Sequence, residues 1–420
     1  MKHILHSLSV RTFAVLCLVC AQVSRAQNGL TWEQVKARFE SANPALRADA
    51  LNVDETRAQE ITAHLRPNPQ VSYSLDQLYP YADPYWRPLT DALSSGSVSY
   101  LLERDHKRDL RYKSAQQATQ IAQSQHADMI RNMTFTLRSA FVQTLQAKTV
   151  LAMAKEDLAY YDHVIQISRD RFNAGDIAQV DLDRIELLRV QYESEIQTAI
   201  VNLRTSKLQL LMLLNDKTPV EQFDVNGPFD FSDDLHPLEE FRKIALDERP
   251  DLRASLQSLN QAATNHKLAI ANGSTDPTFS VDAGSNPPLD PYVGLGISIP
   301  LRIFDRNQGE KKRTQIDIGR NQQLTDQAHN QVFNDVDSAY AQVQSDIALL
   351  KPYKAKYIEQ STRVRDTITY SYQHGGASLI DLLSAQSDYR TVQLAYLQLV
   401  GTYLTAAGQL NLAVGREVIQ

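Results

Sequence analysis

Cysteine is almost missing from this chain. Cys17 and Cys20 are the only two among 420 residues, and both lie in the first 26. That opening stretch reads as a secretory leader: Lys2 and Arg11 precede or flank a short apolar run from Phe13 to Val19, and Ser24-Arg25-Ala26 offers the small residues a leader peptidase accepts. A mature chain beginning near Gln27 would then form no disulfide and no thiolate metal site. Leu16 and Val19 do not match the small residue that precedes an acylated cysteine, so no lipid anchor is expected. Long apolar runs are also missing. The leader's run falls far short of the roughly 20 residues a spanning helix needs, and no later stretch approaches that length.

Catalytic and ligand-binding signatures are scarce too. Histidines outside the leader stand at 64, 106, 126, 163, 236, 266, 329 and 374, with no His-x-x-x-His spacing, so no tight metal site is expected. No phosphate-cradling glycine loop and no Gly-x-Ser-x-Gly elbow occurs. The expectation is a protein that is not an enzyme and carries no cofactor. Without Lys2, Arg11 and Arg25 of the leader, 40 basic residues face 49 acidic ones, a net charge of −9. Such a surface repels nucleic acid.

What the chain does contain is one unit written twice, at a period near 200 residues. Asn43-Pro44-Ala45-Leu46-Arg47 returns as Arg249-Pro250-Asp251-Leu252-Arg253, and Pro69-Gln70-Val71-Ser72 as Pro277-Thr278-Phe279-Ser280. Ser139-Ala140-Phe141 returns as Ser338-Ala339-Tyr340. Phe172-Asn173-Ala174-Gly175, with Asp181-Leu182 beyond it, returns as Tyr372-Gln373-His374-Gly375 with Asp381-Leu382. The matches keep their order, which marks a duplication.

Each copy carries two segments of period-two alternation, the pattern of a strand with one apolar face. Strands are expected at about 70–76, 96–102, 278–283 and 292–301, with Ser72, Ser74, Ser99, Asp282 and Ser298 on the polar side. Two long helices follow each pair, at about 107–172 and 177–214, then at about 305–373 and 377–414. Ile130, Leu137, Thr144 and Leu151 repeat by seven, as do Met133, Ala140, Ala147 and Ala154. In the last helix Leu382, Tyr389, Tyr396 and Tyr403 do the same, beside Ala385, Val392, Leu399 and Ala406. These are coiled-coil seams. Glycine after Ala174 and after His374 supplies the positive φ that ends a helix, and Pro352 should kink or interrupt its own. The expected organisation is a leader at 1–26, a first repeat at 27–214, a linker with a short strand at 215–248, and a second repeat at 249–416.

Four strands cannot close a membrane barrel, whose smallest form needs about eight. If their apolar faces meet lipid, copies must associate, and only the larger strand totals leave an open lumen. The aromatic stretch with Tyr79, Tyr81, Tyr85 and Trp86 would suit an external loop beside an interfacial girdle. The alternative is a periplasmic coiled-coil scaffold with soluble hairpins.

Over essentially the whole mature chain the residues resemble the TolC-like outer-membrane factors. The resemblance rests on Leu30-Thr31-Trp32-Glu33-Gln34-Val35 leading to Asn43-Pro44, on Arg249-Pro250-Asp251-Leu252, on Ile299-Pro300-Leu301, and on Tyr372 to Gln386. It implies a mainly α fold with a membrane β-barrel contribution: four strands per chain in a twelve-stranded barrel shared by a homotrimer, and a long periplasmic α-helical barrel. It also implies a location in the outer membrane reaching into the periplasm, with a periplasmic adaptor (membrane fusion protein) and an inner-membrane RND-type pump as partners. Phe304-Asp305-Arg306-Asn307-Gln308-Gly309-Glu310, with Glu103 and Lys107-Arg108 as first-copy counterparts, is similar to motifs of the CzcC-type channels for heavy-metal cations. Asp105-His106 stands where that subfamily carries glycines. Multidrug efflux and type I protein secretion share the body plan and stay open as substrate classes.

The resemblance further implies a gate at the helix tips. Asp381 maps onto an acidic ring position, Asp181 is its first-copy equivalent, and Ser384 occupies a place where a second acid can stand. The alternative role for either aspartate is to cap the returning helix, where negative charge is favourable. Adaptor docking is expected at Phe172, Gly175, Asp176, Tyr372, Gly375 and Gly376. The Gly375-Gly376 pair makes the second hairpin the better candidate for a moving part.

Overall fold

The computed structural model describes residues 29–78, 92–287 and 289–419. The leader and the aromatic residues Tyr79, Tyr81, Tyr85 and Trp86 lie outside the described residues. The duplication appears as two matching series of six elements. The first is α1 (Trp32–Ala42), α2 (Pro44–His64), β1 (Gln70–Asp76), β2 (Leu93–Leu101), α3 (Lys107–Asn173) and α4 (Gln179–Leu213). The second is α5 (Leu238–Glu248), α6 (Pro250–Ala271), β3 (Thr278–Ser285), β4 (Tyr292–Ser298), α7 (Gln308–Pro352) continued by α8 (Ile358–Gln373), and α9 (Leu379–Val414). Because α5 has the 11 residues of α1, the second series opens at Leu238, inside the stretch whose composition reads as a linker. The short strand expected there is a single parallel bridge from Val225 to Leu30.

Pro352 does not end the long helix of the second series. It is followed by one π-helical turn, Tyr353–Tyr357, after which α8 continues. A proline has no N–H to donate and its ring crowds the preceding turn, so widening the helix by one residue relieves both problems. The 67-residue α3, about 100 Å long at 1.5 Å per residue, has no such break.

The chain divides into two compact units, each drawing on both series. One comprises the sheet with 48–128 and 249–332. The other comprises the described residues up to Arg47, Met129–Glu248, and the chain from Phe333 on.

In the sheet unit, β1-β2-β3-β4 form an antiparallel meander in which the β2–β3 pair joins the two copies. The register places Val71 beside Val98, Val98 beside Val281 and Val281 beside Leu295, a continuous apolar band. On the alternate positions Ser72 pairs with Ser97, Ser97 with Asp282 and Asp282 with Gly294. Between Leu93 and Leu101 at the two ends of β2, this second face is built of small or polar residues. Among the described residues nothing covers the apolar face: Val71 is 79% exposed and Leu295 86%. Below the strands, Lys107 is buried with its Nζ 2.6 Å from Asp276 Oδ2, and it also donates to Ser274 O at 3.0 Å. Arg111 pairs with Glu103 at 2.8 Å.

The other unit holds the larger core. Val35 and Phe39 of α1 pack with Leu137, Phe141 and Leu145 of α3, Leu210 and Leu211 of α4, and Phe223 and Val225. The seams read from heptads are buried at Leu137, Ala140, Thr144 and Ala154 in α3 and at Leu382, Ala385, Tyr403 and Ala406 in α9, and half-buried at their other positions.

Candidate functional site

The two helix tips close by the same local chemistry. At the first, Gly175 adopts φ +84°, its amide donates to Phe172 O at 3.0 Å, and the Asp176 amide reaches back to Arg171 O at 2.9 Å. At the second, Gly375 adopts φ +77°, its amide donates to Tyr372 O at 3.1 Å, and the Gly376 amide to Ser371 O at 2.7 Å. This crossed pair of bonds satisfies the last helical carbonyls, and the left-handed residue it needs is cheapest as glycine.

The returning helices differ. Ser378 caps α9 in a reciprocal box: Asp381 Oδ2 accepts from Ser378 Oγ at 2.7 Å and from the Ser378 amide at 3.1 Å. In return Ser378 Oγ accepts from the Asp381 amide at 3.3 Å. Those hydrogen bonds from Ser378 hold the Asp381 carboxyl below its ordinary value. The first-copy cap position is Ala178, which has no side chain able to cap, and Asp181 is half-buried in the first turn of α4. Capping therefore belongs to the second aspartate and not to the first.

Of the six tip residues expected to meet a partner, Gly175, Asp176, Gly375 and Gly376 are exposed and Phe172 is half-buried. Tyr372 is a correction. It is 1% exposed, packed with Val164, Ile167 and Leu382. Its hydroxyl lies 3.1 Å from Ser168 Oγ, the Arg171 guanidinium lies 4.6 Å from its ring, and Arg171 Nη1 donates to its carbonyl at 2.8 Å. Tyr372 fastens one hairpin to the other and presents no side chain to a partner. Sequence reasoning passed over the exposed apolar side chains at the tips, Val180 (69% exposed) and Ile380 (65%). They are repeat equivalents at the second position of α4 and α9, and their identical offset from the tip glycines was the available signal.

Helices α4 and α9 occupy equivalent places in the duplication and share a polar row, with Arg184, Gln191, Thr198, Asn202 and Gln209 on α4 matching Ser384, Thr391, Gln398, Thr402 and Gln409 on α9, but α4 exposes an apolar row as well. Beyond Ile380, the exposed positions of α9 are Asp381, Ser384, Ser387, Asp388, Thr391, Gln398, Thr402 and Gln409, all polar, two acidic and none basic. On α4, Val180, Leu187, Val201 and Leu208 fall on one heptad row as exposed apolar side chains, interrupted by Ser194. A polar stripe on a helix otherwise buried suits contact with water, and an apolar heptad stripe suits another helix.

In the sheet unit, Ser72, Ser74, Ser99, Asp282 and Ser298 share the small polar face. Asp282 lies across the neighbouring strand: a Cβ added to Gly294 would sit 2.4 Å from its Oδ2. Among the described residues no group of three His, Cys, Asp or Glu side chains is placed to hold a metal ion, and no helix is long and apolar enough to cross a membrane.

A family model described as outer membrane efflux protein matches residues 242–416. The chain is 23% identical over 397 residues to the cobalt-zinc-cadmium resistance protein CzcC of Cupriavidus metallidurans, covering 93% of this chain and 91% of that one. It is 21% identical over 301 residues to the outer membrane efflux protein BepC of Brucella suis, covering 68% of this chain and 64% of the other. Among solved structures, that of CusC, described together with its transmembrane channel formation, matches with a TM-score of 0.77 at 18% identity, over 94% of this chain and 96% of that one. At that identity the likeness concerns the fold.

Proposed function

We propose that this chain, whose residues 242–416 match the outer membrane efflux protein family, is a member of that family, the outer-membrane channel subunit of a tripartite pump and a passive conduit for heavy-metal cations. The observation that carries the reading is the sheet with one exposed apolar face and one small polar face. Lipid on the first and water on the second is the arrangement of a transmembrane barrel. Four strands per chain require several copies, and three give the twelve that leave a lumen.

The polar stripe of α9 supports a water-filled tunnel, and its two acids without a base support cation passage. The likeness to CzcC, a protein named for cobalt, zinc and cadmium resistance, points the same way. No step makes or breaks a bond, so an inner-membrane RND-type pump supplies the energy and a periplasmic adaptor meets the exposed tips. The decisive experiment is membrane fractionation of cells expressing the full chain. A channel stays in the outer-membrane fraction and is extracted by detergent as a heat-modifiable trimer. Release by osmotic shock as a soluble monomer would instead mark a periplasmic scaffold. Growth of a deletion strain on zinc, cobalt, cadmium and drug plates then separates metal from multidrug efflux.

A further inference from the structure

Well back from the tips, one guanidinium serves two carboxylates from different helices. Arg390 of α9 is hydrogen-bonded through Nη2 to Glu195 of α4. Its Nε lies 3.6 Å from Asp157 Oδ2 of α3, beyond hydrogen-bond reach, and that Nε is buried without a hydrogen-bond partner. Asp157 is only 4% exposed. The arginine also lies over the ring of Tyr192, 4.7 Å from its centroid. We propose that Asp157, Arg390 and Glu195 form a proton-responsive clasp that holds the hairpin α3–α4 to the hairpin α8–α9.

With Asp157 ionised, the clasp holds two negative charges against one positive, and the carboxylate least able to reach water meets that cation at 3.6 Å without a hydrogen bond. The groups facing Asp157 from the packed elements are Glu156 of its own helix, Tyr192 and Glu195 of α4, Arg365 of α8 and Arg390 of α9. Arg365 offers little relief. It is paired with Asp366 at 2.7 Å, and its guanidinium lies over the rings of Tyr160 and Tyr389. Burial pushes the Asp157 carboxyl up from 3.8 to about 6, with Arg390 opposing and Glu195 adding to the rise. Protonating Asp157 leaves Arg390 and Glu195 as a balanced pair.

The sign follows from linkage. The packed clasp binds a proton near pH 6, whereas a parted clasp, with Asp157 in water, would bind it only near 3.8. Acid therefore favours the packed hairpins and rising pH favours parting them. Between pH 7.5 and pH 5 the packed-to-parted ratio should rise about tenfold.

This inference rests on reading the hairpin ends as the channel entrance, but its test does not. Spin labels on Ala174→Cys and His374→Cys, both exposed tip positions, report hairpin separation in the detergent-solubilised full chain whether or not it conducts. In the wild-type background the ratio of short-distance to long-distance populations should rise about tenfold on going from pH 7.5 to pH 5. Asp157→Asn should give the short distance at both, with unchanged trimer stability as the control for folding. Glu195→Gln frees Arg390 for Asp157 and should move the transition to lower pH. A wild-type distance that ignores pH, or an Asp157→Asn response that follows the wild type, overturns the clasp. Loss of conductance with the distance response intact would count against the channel reading alone.

Discussion

Ser378 and Asp381 hold each other at the start of α9, the serine hydroxyl 2.7 Å from the aspartate Oδ2, while their repeat equivalents Ala178 and Asp181 form no such box. The duplication thus produced two tips with the same glycine turn and different helix starts. Ser378→Ala should lower the thermal stability of the second hairpin by about 1 kcal/mol, a typical cost for an N-cap. Ala178→Ser should raise that of the first. Because the Asp381 carboxyl is held below its ordinary 3.8, its contribution is present above that pH and is lost as pH falls through the lowered folded value. Calorimetry of both variants at pH 7 and pH 3 checks the sign; a Ser378→Ala deficit that persists undiminished in acid would contradict it.

Tyr372 is expected to act through packing. Tyr372→Phe removes the hydroxyl beside Ser168 and should cost about 1 kcal/mol. Tyr372→Ala opens a cavity among Val164, Ile167 and Leu382 and should cost about 3–5 kcal/mol, as large aromatic truncations do. Hydrogen exchange of α8 amides resolves the two. An adaptor-binding defect with unchanged exchange would return Tyr372 to the docking surface.

Val180→Asp and Ile380→Asp place charge on exposed apolar tips, so neither should change the stability of the isolated protein by more than about 0.5 kcal/mol. Both should weaken adaptor crosslinking. Intact crosslinking in the double variant would move the docking surface elsewhere.

Asp381→Asn should reduce cation over anion permeability, read as a shift in reversal potential across a planar bilayer. No shift would remove Asp381 from the conduction path.

In the sheet, Gly284→Ala should be far more damaging than Gly294→Ala. A Cβ at 284 would lie 2.7 Å from the backbone carbonyl of Ser94, which the β2–β3 ladder fixes in place. At 294 the obstacle is the carboxylate end of Asp282, which can rotate aside. Trimer yield on semi-native gels ranks them, and equal yields would mean that the sheet yields more than its hydrogen bonds suggest.

The duplication, the strands, the heptad seams and the tip glycines were legible because each depends on residues near one another in the chain. A period of two or seven fixes which side chains share a face whatever lies opposite. Pro352 was legible as a disturbance but not as a π turn, since its effect depends on whether packing on both sides keeps the helix going. The 11-residue α5 was hidden by the Asp, Pro and Gly just before it, and only its match to α1 exposes it as part of the repeat.

By itself, then, the sequence determined a twice-written series of helices and amphipathic strands, and the positions where the helices turn back. Tertiary structure alone decided that Tyr372 is buried, and that α4 exposes Val201 and Leu208 where α9 buries Gly401 and Gly408. It also set Asp157 against a single shared arginine. Those outcomes depend on which distant helix covers each face, and two copies of one pattern acquire different neighbours when they pack in one chain.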